Sequence, residues 1–111
     1  MNLDFDDAEF YKLSASLDSV FPEILDVFFK ETEISLKELN NNLAEENMGQ
    51  IQDIAHKIKS SSKTFGASGL ATLLETIESL NADDFEQCEL LNQQINQEFQ
   101  LVKEHILNNL Q

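Results

Sequence analysis

The 111-residue sequence has no tryptophan and no arginine, one cysteine, one proline and three glycines. A single Cys88 cannot close an internal disulfide. With no second cysteine and no neighbouring histidine it makes no zinc motif, so it reads as a small hydrophobe of the core. With so few Gly and Pro, and no alternation of β-branched residues, the chain reads as helix nearly throughout. Apolar runs reach only three or four residues, far short of the ~20 that span a bilayer. Met1-Asn2-Leu3-Asp4 also lacks the basic start of a signal peptide, so a cytoplasmic location is expected.

Positive charge is also scarce. Seven lysines face twenty-one Asp and Glu residues, giving a formal net charge of −14. Such a surface repels phosphate backbones and anionic lipid headgroups, which excludes nucleic acid and membranes as expected partners. What the chain does have is apolar mass: 41% hydrophobic residues, eight Phe and one Tyr, too much for a disordered acidic tail. The length suits one domain over residues 1–111, expected to be monomeric. The opening Met1 favours a stand-alone protein.

Hydrophobic spacing places five helices. Asp6 with Glu9 caps a short one over about 7–16, and Ser19 with Pro22 opens a second reaching about Glu46. Along the second helix Phe21, Leu25, Phe28, Thr32, Leu36, Leu39 and Leu43 recur every three or four residues. Asn47 with Gln50 caps a third, whose stripe of Ile51, Ile54, Ala55, Ile58, Ser62 and Phe65 stops at Gly66, a natural left-handed terminator. Leu70, Leu73, Leu74, Ile77 and Leu80 mark a fourth. Asp83 with Glu86 starts the last, which carries Leu91, Ile95, Val102, Ile106 and Leu110. Short connections force antiparallel neighbours, so the expected fold is all-α: an up-down-up-down four-helix bundle with the short N-terminal helix as a lid.

The charge is unevenly distributed. The 21 residues from Ile54 to Leu74 contain no acid and carry Lys57, Lys59 and Lys63, leaving −17 on the other 90. A reversal centred on a helix that contains His56 suggests that something negative is received there. Helical spacing puts Gln52, Asp53, His56, Lys59, Ser60 and Lys63 opposite the core-facing Ile51, Ile54, Ala55, Ile58 and Ser62. His56 therefore faces water, with Lys59 one turn ahead and Asp53 as the acid nearest in sequence. Neighbouring ammonium groups favour the neutral ring, the nucleophilic form able to accept a dianionic phosphoryl group. Ser61 and Ser62 lie toward the core, where close packing or a bond to a carbonyl one turn back is expected. His105, between Glu104 and Ile106, has no such surroundings. Gly66-Ala67-Ser68-Gly69 lacks the lysine and the preceding strand of a phosphate-binding loop, so no nucleotide site and no autonomous kinase activity are expected.

The run Ala55-His56-Lys57-Ile58-Lys59-Ser60-Ser61-Ser62-Lys63-Thr64-Phe65-Gly66-Ala67 resembles the signature of histidine-containing phosphotransfer (HPt) domains. The resemblance extends downstream through Leu70, Leu73, Leu74, Ile77 and Glu78 and covers nearly the whole chain. It implies a relay intermediate of multistep two-component phosphorelays, with His56 as the phosphorylated residue, Lys59 steadying the phosphoryl oxygens, Gly66 ending the helix and Ala67 a small interhelix contact. Ser60 stands where the family usually has Gly. The implied partners are receiver domains of hybrid histidine kinases and response regulators. The chain itself would bind no cofactor, and the receiver would supply Mg²⁺. Gln52, Lys57, Ser60 and Lys63, together with Phe10, Tyr11 and Leu13 of the lid helix, are the expected docking residues. Two other readings are a bundle that docks and inhibits a receiver or histidine kinase without being phosphorylated, and a metal-binding bundle using His56, His105 and Cys88. The second has no ligand spacing, and its lysines would oppose a cation.

Overall fold

The computed structural model describes residues 3–110; what was expected of Met1 and Asn2 lies outside them. Five α-helices follow in order: α1 (Asp7–Leu17), α2 (Phe21–Ala44), α3 (Met48–Thr64), α4 (Ser68–Glu78) and α5 (Phe85–His105). A 3₁₀ turn, Asp18–Val20, joins α1 to α2, and a π turn, Ile106–Leu110, extends α5. Helices α2 to α5 form the bundle: α2 packs on α3, α3 on α4, α4 on α5, and α5 returns against α2. Helix α1 lies across α2 and α3. Among the described residues, no helix is long and apolar enough to cross a membrane.

Two of the caps form as the sequence predicts. Asp6 Oδ1 accepts from Glu9 N at 3.1 Å, and Asn47 Oδ1 accepts from Gln50 N at 3.2 Å. Two others differ. Ser19 falls inside the 3₁₀ turn, and Phe21 N bonds to Asp18 O, so the preceding turn does the work of a side-chain cap. At α5 the cap position is Asp84, and its carboxylate reaches back to Asn81 N at 2.9 Å rather than forward into the helix.

The core is built on aromatic side chains at one end. Phe28 and Phe65 stack at 4.3 Å between ring centroids, and Phe10 meets Phe21 edge-on at 5.2 Å. Phe10 is thus the plug by which the lid helix seals the bundle. Further along, Leu39, Ile51, Leu74, Ile77, Ile95 and Val102 are fully buried. Cys88 is buried among them, and burial, with a smaller contribution from Glu89, raises its thiol pKa.

The turn between α3 and α4 is the tightest part of the fold. Ala67 N donates to Ser62 O at 2.8 Å and Gly66 N to Lys63 O at 3.1 Å, with Gly66 at φ +88°. This is the pairing of a Schellman helix end with glycine at its left-handed position. Asp6 N donates to Gly66 O at 2.7 Å, and Gly69 N donates to Asp4 O at 2.8 Å, so the N-terminal strand of chain lies directly on the turn. A Cβ on Gly66 would stand 2.5 Å from Asp6 O. Gly66→Ala should therefore lower stability by more than the roughly 1–2 kcal/mol of a left-handed Ala alone, because the lid must also move. Urea denaturation checks this, and an unchanged midpoint would contradict it.

Candidate functional site

His56 sits midway along α3, with its side chain 66% exposed. One ring nitrogen is held: Nδ1 lies 2.8 Å from Glu78 Oε2. The other carboxylate oxygen, Oε1, meets Lys59 Nζ at 2.7 Å, an ion pair rather than an aligned hydrogen bond. Glu78 is the last residue of α4, and one carboxylate thus joins two side chains of α3 a turn apart. Because a carboxylate only accepts, the bond from the neutral ring is Nδ1–H···Oε2, which leaves the Nε2 lone pair directed to solvent. Burial pushes Glu78 upward. The Lys59 ammonium and the His56 ring outweigh it, and the net effect holds the carboxyl below its ordinary value of 4.5.

The structure places several of these side chains differently from their expected positions. Lys59 is not a free surface cation: its side chain is 15% exposed and its charge is committed to Glu78. The acid closest to the ring is Glu78, not Asp53. Gln52 is half-buried and turned to the end of α4, where its Nε2 lies 2.9 Å from Leu80 O, so it does not present itself for docking. Phe10, at 1% exposure, is core and offers no docking surface, while Leu13 is half-buried against the core. Of the three expected lid residues only Tyr11, at 51%, is open to solvent.

Exposed apolar surface lies instead on α2 and the turn before it. Val20, Ile24 and Val27 are exposed there. Ile24, Val27, Phe28, Ile58 and Phe65, together with the charged Lys57 and Glu31, line a groove of about 360 Å³ between α2 and α3. Lys57 and Lys63 are exposed and have no ion pair among the described residues. Ser60 is exposed, with its hydroxyl folded back onto His56 O at 3.2 Å. Ser61 bonds to Ile58 O at 3.0 Å, as expected of a helical serine facing inward. Ser62 is fully buried with no partner for its hydroxyl, so its role there is small size.

His105 is otherwise engaged, with Nε2 at 2.7 Å from Asp7 Oδ1 and its ring edge-on to Phe5. It ties α5 to the lid. Among the described residues, no cluster of three or more His, Cys, Asp or Glu side chains is arranged to hold a metal.

The part played by Glu78 was open to a geometric reading of the sequence. It lies as many residues after Ala67 as His56 lies before it, so a hairpin folded at Gly66-Ala67 brings the two level. That its carboxylate bridges His56 and Lys59 is a tertiary fact which helical periodicity alone does not give.

Because the folded state lowers the Glu78 pKa, the ionised carboxylate stabilises the fold above the ordinary carboxylate range, and the benefit disappears as pH falls through the lowered value. Glu78→Gln should thus be less stable than the parent at pH 7, with the gap closing toward pH 3. Paired urea titrations at the two pH values measure this, and a gap that is the same at both would contradict the ion pair.

Residues 23–105 match the family model described as Hpt domain. No significant sequence match is found among curated proteins. Among solved structures, the chain is similar to histidine-containing phosphotransfer protein B (HptB) from Pseudomonas aeruginosa PAO1. The two are 26% identical, with a TM-score of 0.83 over 92% of this chain and 90% of that one. The helical bundle, its order of helices and the family match agree: the chain belongs to the histidine-containing phosphotransfer family, whose members act as phosphorelay intermediates.

Proposed function

We propose that the chain accepts a phosphoryl group on His56 Nε2 from the aspartyl phosphate of a receiver domain and passes it to another receiver. The observation that carries this is the divided environment of one ring: Nδ1 is held by Glu78 at 2.8 Å while two-thirds of the side chain is open. The held nitrogen fixes ring orientation and tautomer, and the open one carries a lone pair directed to solvent. An in-line attack forms the Nε2–P bond and breaks the P–O bond to the receiver's aspartate, whose carboxylate leaves with the electron pair. No proton has to move at Nε2. Nδ1 keeps its hydrogen, and the positive charge that spreads over the ring faces the Glu78 carboxylate.

Lys59 supports this indirectly. A bare carboxylate next to an incoming dianion would repel it, and an ammonium 2.7 Å away cancels most of that field at a distance. The transferred group therefore meets a nearly neutral His56-Glu78-Lys59 unit. Lys57 and Lys63 remain free to face the carboxylate-rich pocket of a receiver, where the Mg²⁺ used in such transfers is expected.

The docking surface in this reading is the α2/α3 groove together with Val20, Ile24, Val27 and Lys57, with Ser60 and Lys63 bordering His56. It combines exposed apolar side chains with the unpaired Lys57, next to His56 in sequence, and with Glu31, which suits a partner with an apolar helix beside an acidic pocket. The reading includes a cytoplasmic monomer that works with receivers of hybrid histidine kinases and response regulators. It needs no cofactor bound to this chain.

The test is incubation with a phosphorylated receiver, scoring label that is acid-labile and base-stable. His56→Gln should abolish acceptance with little change in melting, and His105→Gln should retain it. Label lost with the His105 variant and kept with the His56 variant would reverse the assignment. A bundle that only docks a receiver would take no label in any form.

Ser60 gives a second test of docking over this face. Ser60→Glu places a carboxylate one turn from the phosphoryl site, against an acidic pocket, and should cut the initial transfer rate steeply while leaving helicity intact. Ser60→Gly should transfer at least as fast as the parent and lose less than ~1 kcal/mol of stability through helix propensity. Parental rates for Ser60→Glu would mean that the receiver does not approach this surface.

A further inference from the structure

Gln52 leaves α3 one turn before His56 and reaches the end of α4. Its amide nitrogen lies 2.9 Å from Leu80 O, 3.3 Å from Ile77 O and 3.4 Å from Glu78 O. The carbonyls at a helix C-terminus lack intrahelical partners, and here an amide from a different helix supplies the donor. Leu80 N also bonds to Ile77 O at 3.1 Å and Ile77 is buried, but the chain that follows, Asn81 to Asp83, is exposed turn, and Gln52 is the side chain from α3 that bonds to the Glu78 and Leu80 carbonyls. Helix α4 has only eleven residues, and its last one is Glu78.

Three side chains on one track of α3 thus act on one spot of α4. His56 and Lys59 hold the Glu78 carboxylate, and Gln52 holds the backbone beneath it. We propose that Gln52 is a positioning residue for the acceptor histidine: by pinning the end of α4 to α3 it keeps Glu78 on His56 Nδ1 and so sets the ring tautomer. The Lys59 pair cannot replace it, because an ammonium on a flexible stem follows the carboxylate wherever it goes. A fraying α4 terminus would lengthen the 2.8 Å contact and free the ring to exchange its proton between the two nitrogens.

The kinetic part of this proposal rests on His56 being the acceptor; the tautomer part does not. The experiment uses the full chain labelled with ¹⁵N in histidine, at about pH 8 where ordinary imidazole is neutral. The parent should show His56 protonated at Nδ1 and bare at Nε2. Gln52→Met keeps an apolar stem of similar length and removes both donors, and Gln52→Ala removes the stem as well. Both should show a mixed tautomer population and accept phosphoryl groups from a receiver roughly 2- to 10-fold more slowly, the loss of one ordinary hydrogen bond expressed as a rate. If Gln52→Ala fails to fold, the Met variant decides alone. A parental tautomer in the Met variant overturns the proposal, since packing and not hydrogen bonding would then hold the ring. Label retained by His56→Gln would instead defeat the functional reading and leave the tautomer result standing.

Discussion

The left-handed turn at Gly66 is the constraint on which the rest depends. It ends α3 in a fixed pairing of amides and carbonyls and starts α4 two residues later. The register between the two helices is therefore set at the hinge, and a residue's distance from the hinge decides what it meets on the opposite helix. His56 and Glu78 meet because they are equidistant from Ala67. The same turn receives Asp6, so the lid is positioned by the element that positions His56. A Cβ at Gly66 would disturb both together.

Electrostatics explains how an acid can sit beside a ring proposed to accept a dianion. The chain carries −14 overall, yet beyond its immediate contacts Glu78 adds little to that field, because Lys59 stands 2.7 Å from it. What Glu78 keeps is its short-range capacity to accept a hydrogen bond, which falls off far faster with distance than a net charge does. The site thus separates orientation, a contact effect, from repulsion, a longer-range one. The excess acid lies elsewhere, and screening at ordinary ionic strength limits how far it reaches.

What was legible in the sequence was whatever depends on local period or on one residue's conformation. The helix order, the Asp6 and Asn47 caps, the stop at Gly66 and the outward face of His56 are of this kind. Less legible was whatever needs a partner from another helix. Phe10 belongs to the shortest helix, and amphipathicity over three turns does not tell a plug from an exposed side chain; the aromatic edge of Phe21 settles it. Lys59 and Gln52 share the exposed track with His56, yet both are long enough to bend toward α4 and do so. The missed caps at Ser19 and Asp83 have a similar cause, since a 3₁₀ turn and a back-bonded Asp84 compete with the simple pattern.

The arrangement also bears on reversibility, which any relay intermediate needs. If His56 is phosphorylated at Nε2, the Nδ1–H bond to Glu78 can persist in both the free and the loaded ring, so no protein group has to reorganise between acceptance and release. Preorganisation of that kind lowers the barrier in both directions equally, which is what a carrier requires and a one-way catalyst does not. The carboxylate offsets ring charge in the loaded state, while the ring still leaves as neutral imidazole when the next acceptor attacks. A lysine reaching the phosphoryl oxygens directly would favour the loaded state over both neighbours in the relay. In the proposed relay, Lys59 held by Glu78 would avoid that bias, and an exposed His56 on a separately stabilised scaffold would be equally available to donor and acceptor.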